Sequence, residues 1–173
     1  MKILFPCTFF YLLSGLDAVL MGMVTSDTVL LSSTSDFAPN KVRMKDDFDM
    51  MENFGNTMLV AFQGDPTICT IVCDYLKRSC DEYYLNSKKK LSCASIAHLC
   101  QNVIAEHLLG SNINLLIAGI ESGKPRLYTV DNVGAKKYVP FAVFGSDFPF
   151  VFSYLDRELA GRGSKILNLK EGR

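Results

Sequence analysis

The side chains best suited to thiol or metal chemistry in this 173-residue chain are its six cysteines and two histidines. Cys69 and Cys73 stand at i, i+4, while Cys73 and Cys80, and Cys93 and Cys100, stand at i, i+7. Those spacings place thiols on one face of a helix, where a reduced thiol packs as a small apolar group. A zinc site would want a Cys-x-x-Cys pair, or His98 or His107 beside the thiols. There is no such pair, and the two histidines fall on different turns of one helix. Core or interface packing is expected for both, and neither a metal nor a cofactor is expected. Lys88-Lys89-Lys90 reads as a solvated loop, and no Gly-x-Ser-x-Gly motif supports a Ser-His-Asp site.

Hydrophobic residues make up 49% of the chain, charged residues 21%, and the formal net charge is zero. That balance excludes a disordered tail, a nucleic-acid binder working through excess Lys and Arg, and a polybasic membrane anchor. Six cysteines are too few for a disulfide scaffold of this length. The length suits one domain with a real core. Residues 1–15 (MKILFPCTFFYLLSG) have the outline of a secretory signal: one Lys, an apolar stretch, then small residues. This opens an alternative reading, a small secreted or membrane-directed domain. Pro6 and the short length argue against a membrane span. The competing reading is an apolar extension over 1–16, ahead of a domain over 17–160 and a short basic tail over 161–173.

The elements that would position any site follow from periodicity. Ala18 to Val24 and Thr28 to Ser33 are apolar runs, and Thr25-Ser26-Asp27 between them suits a hairpin. Residues 34–49 are polar and read as turns with a short strand, and Asn56 to Phe62 reads as a strand. Gly64-Asp65-Pro66 supplies a turn, an N-cap acceptor and a proline for the first helical position. Behind it Ile68, Ile71, Val72, Tyr75 and Leu76 recur at helical spacing. Ser92 caps a second helix striped with Ile96, Leu99, Cys100, Val103, Ile104 and Leu108. Ile113 to Ile120 is almost wholly apolar and should be buried on both faces. Residues 121–125 form a hairpin loop, Arg126 to Val130 and Tyr138 to Phe144 are strands, and Phe150 to Leu159 starts a third helix. Runs of strands covered by helices imply an α+β fold.

Several words in this order resemble the beta-subunit family of the 20S proteasome, nearest to its non-catalytic members at the fourth ring position. They are Val29-Leu30-Leu31-Ser32-Ser33, Met44-Lys45-Asp46-Asp47-Phe48-Asp49, Gly64-Asp65-Pro66, Asn114-Leu115-Leu116-Ile117-Ala118-Gly119, Leu127-Tyr128-Thr129-Val130-Asp131, Pro140-Phe141-Ala142 and Tyr154-Leu155-Asp156-Arg157. The resemblance implies an N-terminal-nucleophile hydrolase fold, a four-layer αββα sandwich of two antiparallel sheets flanked by helices. It also implies that the family's further helix and closing strands are missing after Arg157. Such a loss is expected to uncover part of the apolar face of Ile113 to Ile120 and to leave an unpaired sheet edge.

Active members of the family use an N-terminal threonine as nucleophile, with its own amine as base and an aspartate and a lysine tuning it. The resemblance puts Ala18 at the nucleophile, Thr34 at the aspartate and Met50 at the lysine. A methyl, a hydroxyl and a thioether cannot carry those roles, so no catalytic residue is expected. Gly64 matches a glycine whose backbone N–H serves as oxyanion donor, and Ser146 lies in a loop that carries a supporting serine. Simpler roles are a turn for Gly64 and a helix cap for Ser146. Cleavage before Thr25 or Thr28 would expose a new threonine but would destroy the first strand or its hairpin. The implied function is a structural beta subunit in a seven-membered ring, in contact with other beta subunits, the alpha ring and the opposite beta ring. The implied location is cytoplasm and nucleus, with no nucleic-acid or membrane partner. Phe148-Pro149-Phe150-Val151-Phe152 suits such an interface better than a free surface.

Overall fold

A computed structural model of the protein describes residues 19–25, 27–33, 50–55, 57–146 and 148–160. Among the described residues eight strands and three helices follow one another in the order β1 (Val19–Val24), β2 (Val29–Ser33), β3 (Met51–Phe54), β4 (Met58–Gly64), α1 (Pro66–Ser87), α2 (Cys93–His107), β5 (Ile113–Glu121), β6 (Lys124–Val130), β7 (Lys136–Tyr138), β8 (Phe141–Gly145) and α3 (Phe148–Ala160). Two antiparallel sheets result, with strand orders β2-β1-β8 and β3-β4-β5-β6-β7. The helices α1 and α2 cover the outer face of the larger sheet, and α3 covers the outer face of the smaller. Leu20 and Leu31 of one sheet meet Leu116 and Leu127 of the other between them. The architecture is therefore the four-layer αββα sandwich.

Strand β5 explains why its sequence is apolar without alternation. Ile113, Leu115 and Ile117 point to the helices, while Leu116 and Ala118 point to the other sheet. All five are buried, so the apolar face expected to be uncovered is covered by α1, α2 and the smaller sheet. Gly119 extends the same helix-facing row. A Cβ there would collide with the Cys93 sulfur and lie 2.8 Å from the Thr57 carbonyl oxygen. The missing side chain lets the start of α2 rest directly on the strand.

Capping fixes where the helices begin. The Asp65 carboxylate accepts from Thr67 N–H at 2.8 Å, with Pro66 at the first helical position. The Ser92 hydroxyl accepts from Ser95 N–H at 3.1 Å. Glu121, at the far end of β5, accepts from Ala94 N–H at 3.0 Å and sets a negative charge against the positive end of α2. The hairpin after it is tighter than expected, a two-residue turn at Ser122-Gly123 with both φ positive.

Other expectations shift on contact with the sheets. Tyr138 to Phe144 is not one strand: β7 ends at Tyr138 in the larger sheet and β8 starts at Phe141 in the smaller, so the chain crosses layers at Val139-Pro140. The buried stripe of α1 is Cys69, Val72 and Leu76, whereas Ile71 and Tyr75 face outward. The strand expected over 56–62 runs over 58–64, and β3 pairs with it from Met51 to Phe54. His98 and His107 lie on the exposed side of α2, not in the core. The short strand expected within 34–49 lies outside the described residues.

The thiols pack as expected. Cys69, Cys93 and Cys100 are buried, Cys73 and Cys80 half-buried, and all five are free. Burial pushes the Cys100 thiol from about 9 up to about 12, and burial with the nearby Glu121 charge does the same to Cys93. The folded state therefore holds protons that the unfolded chain releases, and stability falls as pH rises between about 9 and about 12. Denaturant titrations at pH 8 and pH 10.5 should show a lower midpoint at the higher pH. Cys100→Ala should flatten that slope, although it loses some stability at pH 8 by leaving a small cavity.

Candidate functional site

The nucleophile and its two tuning groups are assigned by resemblance to Ala18, Thr34 and Met50, and the structure describes the third. Met50 immediately precedes β3, its side chain 7% exposed, and its carbonyl accepts from Phe62 N–H at 2.8 Å. A thioether in that setting has no proton to give and no charge to offer. It fills apolar space. Ala18 and Thr34 lie outside the described residues. Ala18 directly precedes Val19, and Val19 is paired with Gly145, so the strand end where the resemblance places the nucleophile adjoins the turn carrying Ser146.

Gly64 closes β4 on the same side as Met50, two residues beyond Phe62. Its φ is +136°, a conformation that side chains rarely adopt, and a Cβ would run into the Asn112 carbonyl. The next residue, Asp65, donates its N–H to that same carbonyl at 2.9 Å and caps α1 with its side chain. The tight passage from strand to helix requires this glycine, whatever its N–H is used for. Ser146 is exposed, in the turn that leads from β8 into α3.

Among the described residues, the titratable groups elsewhere do not assemble into a reactive centre. His98 Nδ1 is 3.2 Å from Gln101 Oε1, and His107 lies beside Glu106, both pairs on the solvent side of α2. Among the described residues no three His, Cys, Asp or Glu side chains lie close enough together to hold a metal ion. No described helix is long and apolar enough to cross a membrane. A cleft of about 430 Å³ opens between the β3–β4 turn and the end of α1, lined by Phe54, Met58, Lys77, Asp81, Tyr84 and Lys90. Lys77 is held there by Glu52 at 2.9 Å, which raises the affinity of its amine for the proton. Sequence reasoning missed this cleft because it depends on β3, whose four residues carry no clear alternation.

Residues 18–171 match the model of the proteasome subunit family. The chain belongs to the proteasome subunit family. It is 23% identical over 143 residues to proteasome subunit beta type-4 of Saccharomyces cerevisiae, covering 80% of this chain and 72% of that one. It is 24% identical over 161 residues to a probable proteasome subunit beta type-4 of Neurospora crassa, covering 87% and 79%. With proteasome subunit beta 2 of Pyrococcus abyssi it shares 26% identity over 139 residues, 80% and 67% of the two chains. Both sheets and all three helices lie within the matched stretch.

The glycine requirement at the start of α1 is measurable. Gly64→Ala should destabilise the fold by at least ~2 kcal/mol, because it combines a disfavoured φ with a collision against backbone. A denaturation midpoint within ~0.5 kcal/mol of the parent would show that the turn can relax.

Proposed function

We propose that this chain is a non-catalytic beta subunit of the proteasome core, which contributes walls and contacts to the particle and leaves peptide hydrolysis to other subunits. The reading rests on family membership, and on one observation at the site: a buried thioether, Met50, stands where the resemblance places the catalytic lysine. Without an ammonium group there, nothing lowers the proton affinity of the nucleophile's surroundings. At the nucleophile itself, Ala18 offers a methyl group. Thr34, at the aspartate position, offers a hydroxyl that carries no charge at neutral pH.

The partners proposed are other beta subunits of a seven-membered ring, the alpha ring and the opposite beta ring, with the particle in cytoplasm and nucleus. The exposed face of α3 supports such assembly. Phe148, Phe150 and Phe152 are exposed there, while Val151 and Leu155 are buried against the smaller sheet. Phe148 and Phe141 both lean on Phe152, with ring centroids 5.2 and 5.3 Å away, so these three rings form one continuous surface. Contiguous aromatic surface of this kind marks contact sites between proteins. Neither the family nor the named relatives lend support to the secreted alternative, which rests on residues 1–15 alone.

Treatment of the purified particle with a threonine-directed electrophile, followed by intact mass of each subunit, tests the reading. This chain should remain unmodified while active subunits gain the adduct mass. Ala18→Thr should stay unmodified as well, since Met50 and Thr34 still supply no charge pair. An adduct on the parent chain would overturn the proposal.

A further inference from the structure

Arg126 sits where the larger sheet comes apart. On β6 it lies across from Gly119 of β5, which has no side chain, and on the same face as Tyr128. On its other side β7 pairs with β6 only from Lys136 to Tyr138, and the chain then leaves for the smaller sheet. Arg126 therefore has a glycine on one flank and no paired residue on the other. Its border is aromatic instead. The guanidinium carbon stands 5.0 Å from the centre of the Tyr138 ring, and Tyr138 meets Tyr128 edge-on at 5.7 Å. Tyr138 is 52% exposed, so this platform opens to solvent at the sheet edge.

The guanidinium is held there but not neutralised. Its Nε is shut off from solvent and has no hydrogen-bond partner among the described residues. Neither terminal nitrogen has a hydrogen bond or an ion pair to a described residue. The other charged groups on this face are Lys124, Lys136 and Glu121. Glu121 lies across from Lys124 and accepts from the Ala94 N–H at 3.0 Å, so it serves the start of α2 and not Arg126. Burial and then the Glu121 charge push the Tyr128 phenol up, and the Arg126 charge opposes them, so the three groups share one field. A cation partly withdrawn from water and left without an acceptor is costly unless an anion completes it.

We propose that Arg126 on its Tyr138 platform is a binding site for one carboxylate group. The terminal nitrogens of a guanidinium present parallel N–H groups in one plane, and these match the two oxygens of a carboxylate. Stacking on Tyr138 holds that plane, so the fork is set before a ligand arrives. Glu121 on the same face selects for charge: it repels a dianion such as phosphate more strongly than a single carboxylate. The carboxylate comes from a free organic acid or from an acidic side chain of another chain, and the chemistry at Arg126 is the same for both. The inference uses only groups of this chain and stands apart from the structural-subunit reading.

Phenylglyoxal, which labels arginine side chains that are free of anions, tests the site on the full chain purified with whatever subunits accompany it. Labelling of Arg126 is followed by peptide mass spectrometry in acetate, phosphate and chloride of equal ionic strength. Acetate should slow Arg126 by about threefold relative to chloride, and phosphate by less, with the exposed Arg78 labelled at one rate throughout. Tyr138→Phe should keep the protection, and Tyr138→Leu should remove it while Arg78 labelling stays unchanged. Where another chain already supplies the carboxylate, Arg126 resists label in every salt, and an electron-microscopy map shows that side chain against its terminal nitrogens. Equal rates in acetate and chloride, stronger protection by phosphate, equal protection of Arg78, or protection that survives Tyr138→Leu would each overturn the site. So would an Arg126 that resists label with no carboxylate beside it in the map.

Discussion

Everything else in the fold leans on one strand that is apolar on both faces. From Ile113 to Ala118, β5 gives alternate side chains to two separate cores: Ile113, Leu115 and Ile117 to the helices, Leu116 and Ala118 to the facing sheet. A fully buried Leu or Ile contributes roughly 1.5–3 kcal/mol, so the four of them together contribute about 6–12 kcal/mol before entropy is counted, comparable to the whole net stability of a typical domain, about 5–15 kcal/mol. Shifting β5 by one residue would exchange the two sets and misfit both layers at once. The neighbours inherit that register: β4 pairs with it from Met58 to Gly64 and β6 from Lys124 to Val130.

The same strand ties the helices to the sheet at its two ends. At one end Asn112, just before β5, receives the Asp65 N–H and leaves room only for glycine at position 64. At the other, Gly119 leaves room for the Cys93 sulfur and Glu121 accepts from the Ala94 N–H in the first turn of α2. Both helices are therefore docked through their N-termini, where backbone donors need partners. Met50 packs just before β3, in a buried position where a charged lysine would need solvation or a partner.

Much of this was legible in the sequence because the signals were local. Asp65-Pro66 and Ser92 marked helix starts through capping chemistry that operates within a few residues, and both helices begin there. The almost wholly apolar run of β5 announced double burial. What was not legible depends on distant partners. Ile71 and Tyr75 have the right spacing for a core stripe, yet the docking angle of α1 selects Cys69, Val72 and Leu76 instead. The run from Tyr138 to Phe144 looks continuous, and only the stacking of two sheets makes the chain change layers at Pro140. At the site, the type of residue 50 was readable, whereas its burial needed the pairing of β3 with β4.

If β5 joins both cores into one unit, the two sheets should not open separately. Native-state hydrogen exchange on the assembled particle, resolved to peptides, measures this directly. Amides of β1, β4 and β5 should share one high opening free energy and one denaturant dependence. Exchange of β1 and β8 at a distinctly lower free energy, with β4 and β5 still protected, would contradict the central role of β5 and show a smaller sheet held only by its own helix.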